Sequence, residues 1–254
     1  MNIERILGVR FFNGTCDEAV SLASRGGLVL CPSGPGLADD LLTQPAYRES
    51  LQEADLVLPD SGLMVLCHRF LTGSSMPRVS GLTFLRQILE GPLKRDRESS
   101  FWVMPTPEER DRTLSFLARQ GIVVSQEDTY LAPRYGAGPL HDRELVGILK
   151  ARLPKWIILG IGGGVQERLG YSLRRTLDAT PAPAILCIGA AIAFLTGGQA
   201  NIPPWADRLY LGWLLRCLHR PGAFIPRYWN ARHLPWLMWK YRDRLPPLRE
   251  EEGG

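Results

Sequence analysis

The sequence predicts an α/β protein with a Rossmann-like, mostly parallel sheet, helices on both faces and a C-terminal helical appendage. Patterns suited to helices separate most of a series of short apolar runs, as expected for alternating strands and helices. These runs span residues 27–31, 54–59, 100–105, 156–162 and 184–190. The C-terminal part differs in composition, because residues 205–249 hold nine basic and two acidic side chains, together with five of the seven tryptophans.

Composition fits a globular protein with one large domain and a smaller addition. The chain has 254 residues, of which 45% are hydrophobic and 22% charged, and this length can bury a substantial core. The Pro-Pro pair at 203–204 marks the boundary between a body at 1–200 and an appendage at 201–254. Five scattered cysteines without a CxxC pair argue against a disulfide framework or a zinc site and favour a reducing compartment.

No segment of the sequence is suited to export or to crossing a membrane. The N-terminal residues lack the apolar stretch of a signal peptide, and no uninterrupted apolar run reaches the ~18 residues that a spanning helix needs. We therefore expect a cytoplasmic protein.

The residues that follow the apolar runs are the candidate ligand-binding residues. In parallel α/β sheets, ligands bind outside the carboxyl ends of the strands. The corresponding segments read CPSGPG, PDSG, PTPEE, GGGVQE and GAAIAF. Four of the five contain glycine, which lets the backbone approach a ligand closely.

The stretch WIILGIGGGVQERLG, residues 156–170, has the pattern of a strand, a phosphate-facing turn and a helix start. It departs from the dinucleotide fingerprint, since Val165 occupies the third small position and the next strand ends without an acidic residue. A nicotinamide or flavin cofactor is therefore disfavoured. Gln166 and Glu167 fall in the first turn of the helix, where they either contact a sugar or nucleoside or merely cap the helix.

Asp60 follows a five-residue apolar run and precedes Ser61-Gly62. This position predicts a carboxylate at the carboxyl end of a strand, facing the cleft, where it could act as a general base. The alternative is that Asp60 caps the helix that follows. The residue types alone favour neither.

Six motifs occur in an order and spacing that resemble the WecG/TagA/CpsF family of glycosyltransferases. They are CPS (31–33), ADLVLPDSGLMV (54–65), RVSG (78–81), GIGGGVQE (160–167), CIGAAIAFLTGG (187–198) and GWLLRCLHRPGAFIPRY (212–228). The chain departs from the family pattern at Ser61, Gly164, Val165, Ala193 and Gly212, among other positions. The departures indicate a divergent member whose donor sugar can differ from that of other members.

The resemblance implies an inverting transfer of a hexose or N-acetylhexosamine from a UDP-sugar to an undecaprenyl-diphosphate-linked sugar, in cell-envelope or exopolysaccharide assembly. It places the base at Asp60 and contacts to acceptor or diphosphate at Arg78, Arg216 and Arg227; a solvated loop arginine is the alternative for Arg78. The donor would be bound by Cys31, Ser33, Gly160, Gly162, Gly163, Gln166, Glu167 and Gly189. Cys31 would serve as a packed small side chain, because no nearby base favours a thiolate.

Neither a cofactor nor a metal is expected beside the UDP-sugar co-substrate. Diphosphate leaving groups are stabilised by a metal or by helix N-termini and basic side chains. No DxD motif follows a strand in this sequence. Backbone N–H groups at Gly162–Gly164 would hold the diphosphate instead.

The basic, aromatic appendage predicts contact with an anionic membrane surface. With the lipid-linked acceptor that the resemblance implies, we expect the protein at the inner face of the plasma membrane. Nucleic-acid binding is the alternative for such a tail, but no RNA-recognition motif accompanies it; an ordinary packed helix pair is another. An uncovered apolar face beneath the tail would favour a homo-oligomer. The second hypothesis for the whole chain is a non-catalytic, sugar-nucleotide-binding scaffold protein, although such a protein could lose Asp60 freely.

Overall fold

The structure is a computed structural model that describes residues 2–178, 180–189, 191–198, 212–219 and 221–249. Within those residues, eight strands form one sheet in the order β1-β2-β4-β3-β8-β7-β5-β6. The strands are β1 Ile3–Ile6, β2 Val9–Phe12, β3 Gly27–Leu30, β4 Leu56–Val57, β5 Ser100–Met104, β6 Thr129–Leu131, β7 Trp156–Leu159 and β8 Ala184–Cys187. All neighbours are parallel except β1 and β2, which form an antiparallel hairpin.

The described helices connect the strands and continue the chain after β8. They are α1 Cys16–Ala23, α2 Leu41–Thr43, α3 Pro45–Glu53, α4 Gly62–Thr72, α5 Gly81–Ile88, α6 Pro107–Arg119, α7 Arg143–Arg152, α8 Val165–Thr176, α9 Ala191–Leu195, α10 Gly212–His219, α11 Pro221–Asn230 and α12 Leu234–Tyr241. Short π-helical turns at Gly36–Asp40 and Leu89–Arg95 and 3-10 turns at Gln126–Asp128 and Ala231–His233 complete them. Among the described residues, no helix is both long and apolar enough to cross a membrane.

Helices cover both faces of the sheet. Alternate strand residues point to opposite sides, and the residues on each side are buried against helices. In β3, Leu28 and Leu30 join one buried cluster with α3, α4, α7 and α8. Val29 joins a second cluster with α1, α5 and α9 on the other face. The central strands are therefore apolar throughout, as in sheets buried on both sides. The predicted Rossmann-like α/β fold is confirmed.

The sheet has two halves that meet at its centre. Strands β1–β4 occupy one half and β5–β8 the other, and β3 pairs with β8 at the junction, from Gly27 opposite Ala184 to Leu30 opposite Cys187. At such a junction the connections leave in different directions and open a crevice at the carboxyl ends of the strands.

The last described segment packs into the core of the body. Leu234, Leu237 and Met238 of α12 are buried in one cluster with Met64 and Val65 of α4. The predicted boundary near Pro203-Pro204 lies outside the described residues, so the division into body and appendage stays a prediction. Leu234, Leu237 and Met238, assigned to the appendage from sequence, nevertheless lie in the core of the body.

Backbone hydrogen bonds tie the end of this segment to the N-terminal hairpin. The N–H groups of Leu7 and Gly8 donate to the carbonyls of Arg242 and Asp243, at 2.7 and 3.1 Å. The hairpin itself was not among the predicted strands, because its short strands alternate polar and apolar residues instead of forming an apolar run.

Candidate active site

A cleft of about 580 Å³ opens at the carboxyl edge of the sheet, where the two halves meet. The segments that follow β3, β4, β5, β7 and β8 all contribute to its wall. It brings together every body residue that the sequence assigned to binding or catalysis: Cys31, Ser33, Asp60, Arg78, Gly160, Gly162, Gly163, Gln166, Glu167 and Gly189. Their placement in one cleft is thus observed, whereas the individual roles assigned to them stay predictions.

Asp60 does not cap the helix that follows it. Ser61 is the N-cap of α4, and its side chain accepts a hydrogen bond from the Met64 N–H at 3.3 Å. The Asp60 carboxylate turns to another helix: Oδ1 accepts from the N–H of Gly81, the first residue of α5, at 3.0 Å. The capping alternative for Asp60 on α4 is therefore wrong, and its side chain, 26% exposed, faces the cleft.

Arg78 is bound to the same residue. Its Nε donates to the Asp60 carbonyl at 2.7 Å, and its Nη2 lies 3.9 Å from Asp60 Oδ1. Only 17% of the Arg78 side chain is exposed, so the alternative of a solvated loop arginine is wrong. The contact places a fixed positive charge beside the carboxylate in the cleft.

The glycine loop after β7 is shaped by its own helix. Gly164 has φ +85°, a conformation that favours glycine, and its N–H donates to Glu167 Oε2 at 2.7 Å. The N–H of Gly164 is therefore not available to a diphosphate, contrary to the prediction. Within the part of the chain that is described, the N–H groups of Gly162 and Gly163 donate to no protein acceptor. They border the cleft at the start of α8, where a helix N-terminus favours anions.

Gln166 and Glu167 link the loops after β7 and β8. The Gly189 N–H donates to Gln166 Oε1 at 2.7 Å, and Gln166 Nε2 donates to Glu167 Oε1 at 3.0 Å. Glu167, 2% exposed, accepts from Gln166 and Gly164, so the capping interpretation holds for this residue. Its contact with a ligand stays a prediction.

Burial determines the protonation of the acidic and thiol groups in the cleft floor. Desolvation raises the pKa of Glu167 to about 7, with nearby Asp40 adding to it and the hydrogen bonds from Gln166 and Gly164 opposing it. Burial, reinforced by Asp60 and Glu167, raises the pKa of Cys31 well above its ordinary value. Cys31 is thus a protonated, packed thiol, in agreement with the interpretation drawn from sequence.

The wall of the cleft also contains residues that were not singled out from sequence. The rings of Trp213 and Tyr228 meet edge to face with centroids 6.2 Å apart, and both line the cleft with Arg232. Trp213 and Tyr228 belong to the GWLLR…RY motif, in which the predicted ligand contacts were the arginines Arg216 and Arg227. Arg216 and Arg227 fall in α10 and α11, but their side chains lie outside what the structure describes.

In the described residues, no group of three or more His, Cys, Asp or Glu side chains is placed to hold a metal ion. Independence from metal stays a prediction, since this observation concerns only the protein ligands.

Parallel sheets with a crevice of this kind bind ligands through loops and helix starts at their carboxyl edge, which defines the molecule as a Rossmann-like ligand-binding protein. Residues 4–249 match the glycosyl transferase WecG/TagA/CpsF family, and the chain belongs to that family. The resemblance drawn from the six motifs is confirmed.

A relative in Bacillus spizizenii (strain ATCC 23059 / NRRL B-14472 / W23) is named N-acetylglucosaminyldiphosphoundecaprenol N-acetyl-beta-D-mannosaminyltransferase. It is 21% identical to this chain over 226 residues, which cover 84% of this chain and 82% of the relative. The similarity therefore extends over most of both proteins.

Proposed function

We propose that this glycosyltransferase moves a hexose or N-acetylhexosamine from a UDP-sugar to a polyprenyl-diphosphate-linked sugar, with inversion at the anomeric carbon. Family membership supports glycosyl transfer, and the name of the relative supports a lipid-diphosphate-linked acceptor. The observation that carries the proposal is that Asp60 and the Gly160–Gly163 loop, from opposite halves of the sheet, line one cleft. In the proposed reaction, Asp60 serves as the base and the glycine loop binds the diphosphate of one substrate.

The glycine loop is the proposed site of the donor diphosphate. The Gly162 and Gly163 N–H groups border the cleft at the start of α8, and such groups bind phosphate oxygens directly. Negative charge grows on the diphosphate as the anomeric bond breaks, so fixed positive dipoles and charges there stabilise the transition state. Arg78 adds a guanidinium to the same cleft, and the transfer needs no metal in this scheme.

Asp60 is the proposed general base. The acceptor hydroxyl attacks the anomeric carbon from the face opposite UDP, the bond to UDP breaks with its electron pair leaving on the diphosphate, and the hydroxyl proton passes to the Asp60 carboxylate. The hydrogen bond from Gly81 to Oδ1 orients that carboxylate toward the cleft. A single displacement of this kind inverts the configuration.

The part of the cleft lined by Trp213, Tyr228 and Arg232 is the proposed acceptor side. Trp213 and Tyr228 offer aromatic faces for a sugar ring, and Arg232 lies beside them, with its guanidinium 4.6 Å from the Trp229 ring centroid. Arg216 and Arg227 remain the proposed additional contacts to the acceptor diphosphate. An acceptor of this type is reached at the inner face of the plasma membrane, in cell-envelope or exopolysaccharide assembly.

A donor screen tests the proposal. UDP release is measured for a panel of UDP-sugars with a short-chain lipid-diphosphate sugar as acceptor and EDTA present. The wild type is compared with Asp60→Asn and with Asp111→Asn, a matched control because Asp111 is exposed on α6 away from the cleft. We expect turnover with one donor, resistant to EDTA, lost in Asp60→Asn and retained in Asp111→Asn.

Other outcomes of the screen are equally informative. Saturable UDP binding without turnover would contradict catalysis and support the scaffold hypothesis. Turnover abolished by EDTA would contradict metal independence alone. Absence of both turnover and UDP binding would contradict the donor assignment.

A further inference from the structure

Helix α4, which begins two residues after Asp60, has two apolar faces. Met64 and Val65 are buried in the core, as is His68. Leu63, Leu66 and Phe70 fall at i, i+3 and i+7 and are exposed, Phe70 to 89%. A surface helix needs only one apolar face to pack against its own protein, so the second face requires an explanation.

Helix α12 packs beside α4 and repeats this arrangement. Its buried residues Leu234, Leu237 and Met238 share a core cluster with those of α4, whereas Trp236 and Trp239 are more than half exposed. Leu63, Leu66, Phe70, Trp236 and Trp239, called here the α4–α12 face, therefore form an exposed group of large apolar side chains on two packed helices. Exposed large apolar side chains grouped on neighbouring helices are typical of a docking site.

The charges around the α4–α12 face are mainly positive. Arg69, Lys240, Arg242 and Arg244 are exposed on or directly after the two helices, and Asp243 is the acidic residue among them. The Lys240 ammonium lies 4.7 Å from the ring centroid of Trp236. Tryptophan beside basic side chains is the composition that suits the headgroup region of a bilayer, and basic clusters favour anionic lipids.

We propose that the α4–α12 face docks on the surface of an anionic lipid bilayer, with Leu66, Phe70, Trp236 and Trp239 in the interface. Contact with the membrane then includes the catalytic body itself, through α4, and is not confined to the C-terminal appendage. Leu63 both belongs to this face and lines the cleft. Given the proposed function, a lipid-linked acceptor reaches Asp60 along α4 without leaving the leaflet.

Vesicle binding tests this directly, without any requirement for catalysis. The full chain is mixed with vesicles of phosphatidylcholine, with and without phosphatidylglycerol, and the bound fraction is measured by flotation. We expect Leu66→Gln/Phe70→Gln to lower the partition coefficient onto anionic vesicles by about tenfold or more, since burial of two such side chains is lost. Val123→Gln is the matched control, because Val123 is 99% exposed and lies outside this face; it should bind as the wild type does.

Two readouts separate docking from folding and from the proposed function. The double variant should keep the thermal midpoint of the wild type, because both replaced side chains are exposed. Its turnover should match the wild type with a soluble short-chain acceptor and fall with an acceptor embedded in vesicles. Loss of vesicle binding in a protein that shows no turnover with any donor would uphold the docking surface and reject glycosyl transfer.

Two results would overturn the proposal. One is equal binding of the wild type and the double variant to anionic vesicles. The other is a wild type that sediments as a dimer and a double variant that sediments as a monomer, which would make the α4–α12 face an interface between two copies of this chain.

Discussion

The unpaired N–H groups at the starts of α4 and α8 are capped in different ways. At α4 a serine caps the helix, and the preceding carboxylate of Asp60 is turned to the cleft and the start of α5. At α8 the cap position is Gly164, whose N–H donates a hydrogen bond to the carboxylate of Glu167, three residues further along the chain. Asp60 is 26% exposed and Glu167 is 2% exposed. The proposed role of proton acceptor thus falls on the more exposed carboxylate of Asp60, whereas the buried carboxylate of Glu167 holds the glycine loop in shape.

The largest effect that sharpens this comparison is expected at Asp60. Asp60→Asn keeps the shape of the side chain but removes the proton acceptor, so we expect kcat to fall by about 100- to 10,000-fold. The affinity for UDP should stay within the experimental error of the wild type, because the glycine loop is unaffected. Turnover assays and calorimetric titration with UDP measure the two quantities. A comparable loss of UDP affinity would mean that Asp60 binds the donor.

Glu167 should show its role in the pH dependence of stability. Burial raises its pKa from 4.5 to about 7 in the folded protein, so the folded state holds this proton more tightly than the unfolded chain. Its contribution is complete below pH 4.5 and is lost as the pH rises through 7, by a total on the order of 3 kcal/mol. Glu167→Gln removes this slope, and relative to the wild type the variant gains stability as the pH rises.

Urea unfolding of both proteins at several pH values across that window measures the slope. Parallel curves for wild type and Glu167→Gln would show that the carboxylate is not buried as described. A change in kcat of Glu167→Gln as large as that of Asp60→Asn would erase the functional distinction between the two acidic groups.

The smallest expected effect is the loss of unfolding free energy when Ser61, the N-cap of α4, is replaced. Ser61→Ala removes the acceptor of the Met64 N–H and should cost about 1 kcal/mol of unfolding free energy. Thr15→Ala is the matched control, since Thr15 caps α1 in the same way and does not line the cleft. We expect similar losses from the two variants in urea unfolding. An unchanged stability of Ser61→Ala together with a reduced kcat would show that Asp60 rotates to replace the missing cap.

Apolar runs predicted the central strands and the position of the cleft, because buried parallel strands are uniformly apolar and their carboxyl ends meet at one edge. Sequence could not decide whether Asp60 faces the cleft or caps α4, since aspartate is a good cap and only the side-chain geometry, with Ser61 as the N-cap, excludes the second role. It also could not place Leu234, Leu237 and Met238 in the core of the body. Their partners Met64 and Val65 lie far away along the chain, and composition assigned the whole basic segment to an appendage.

The hydrogen bonds from the hairpin turn to Arg242 and Asp243 affect how the protein folds during its synthesis. The turn at Leu7 and Gly8 is separated from its partners by some 235 residues of the chain, which are synthesised after it. Contacts of such long sequence separation form late and slow the folding of a domain. In the nascent chain these two hydrogen bonds of the hairpin turn are therefore missing until synthesis has passed residue 243, a period in which chaperones have access to it.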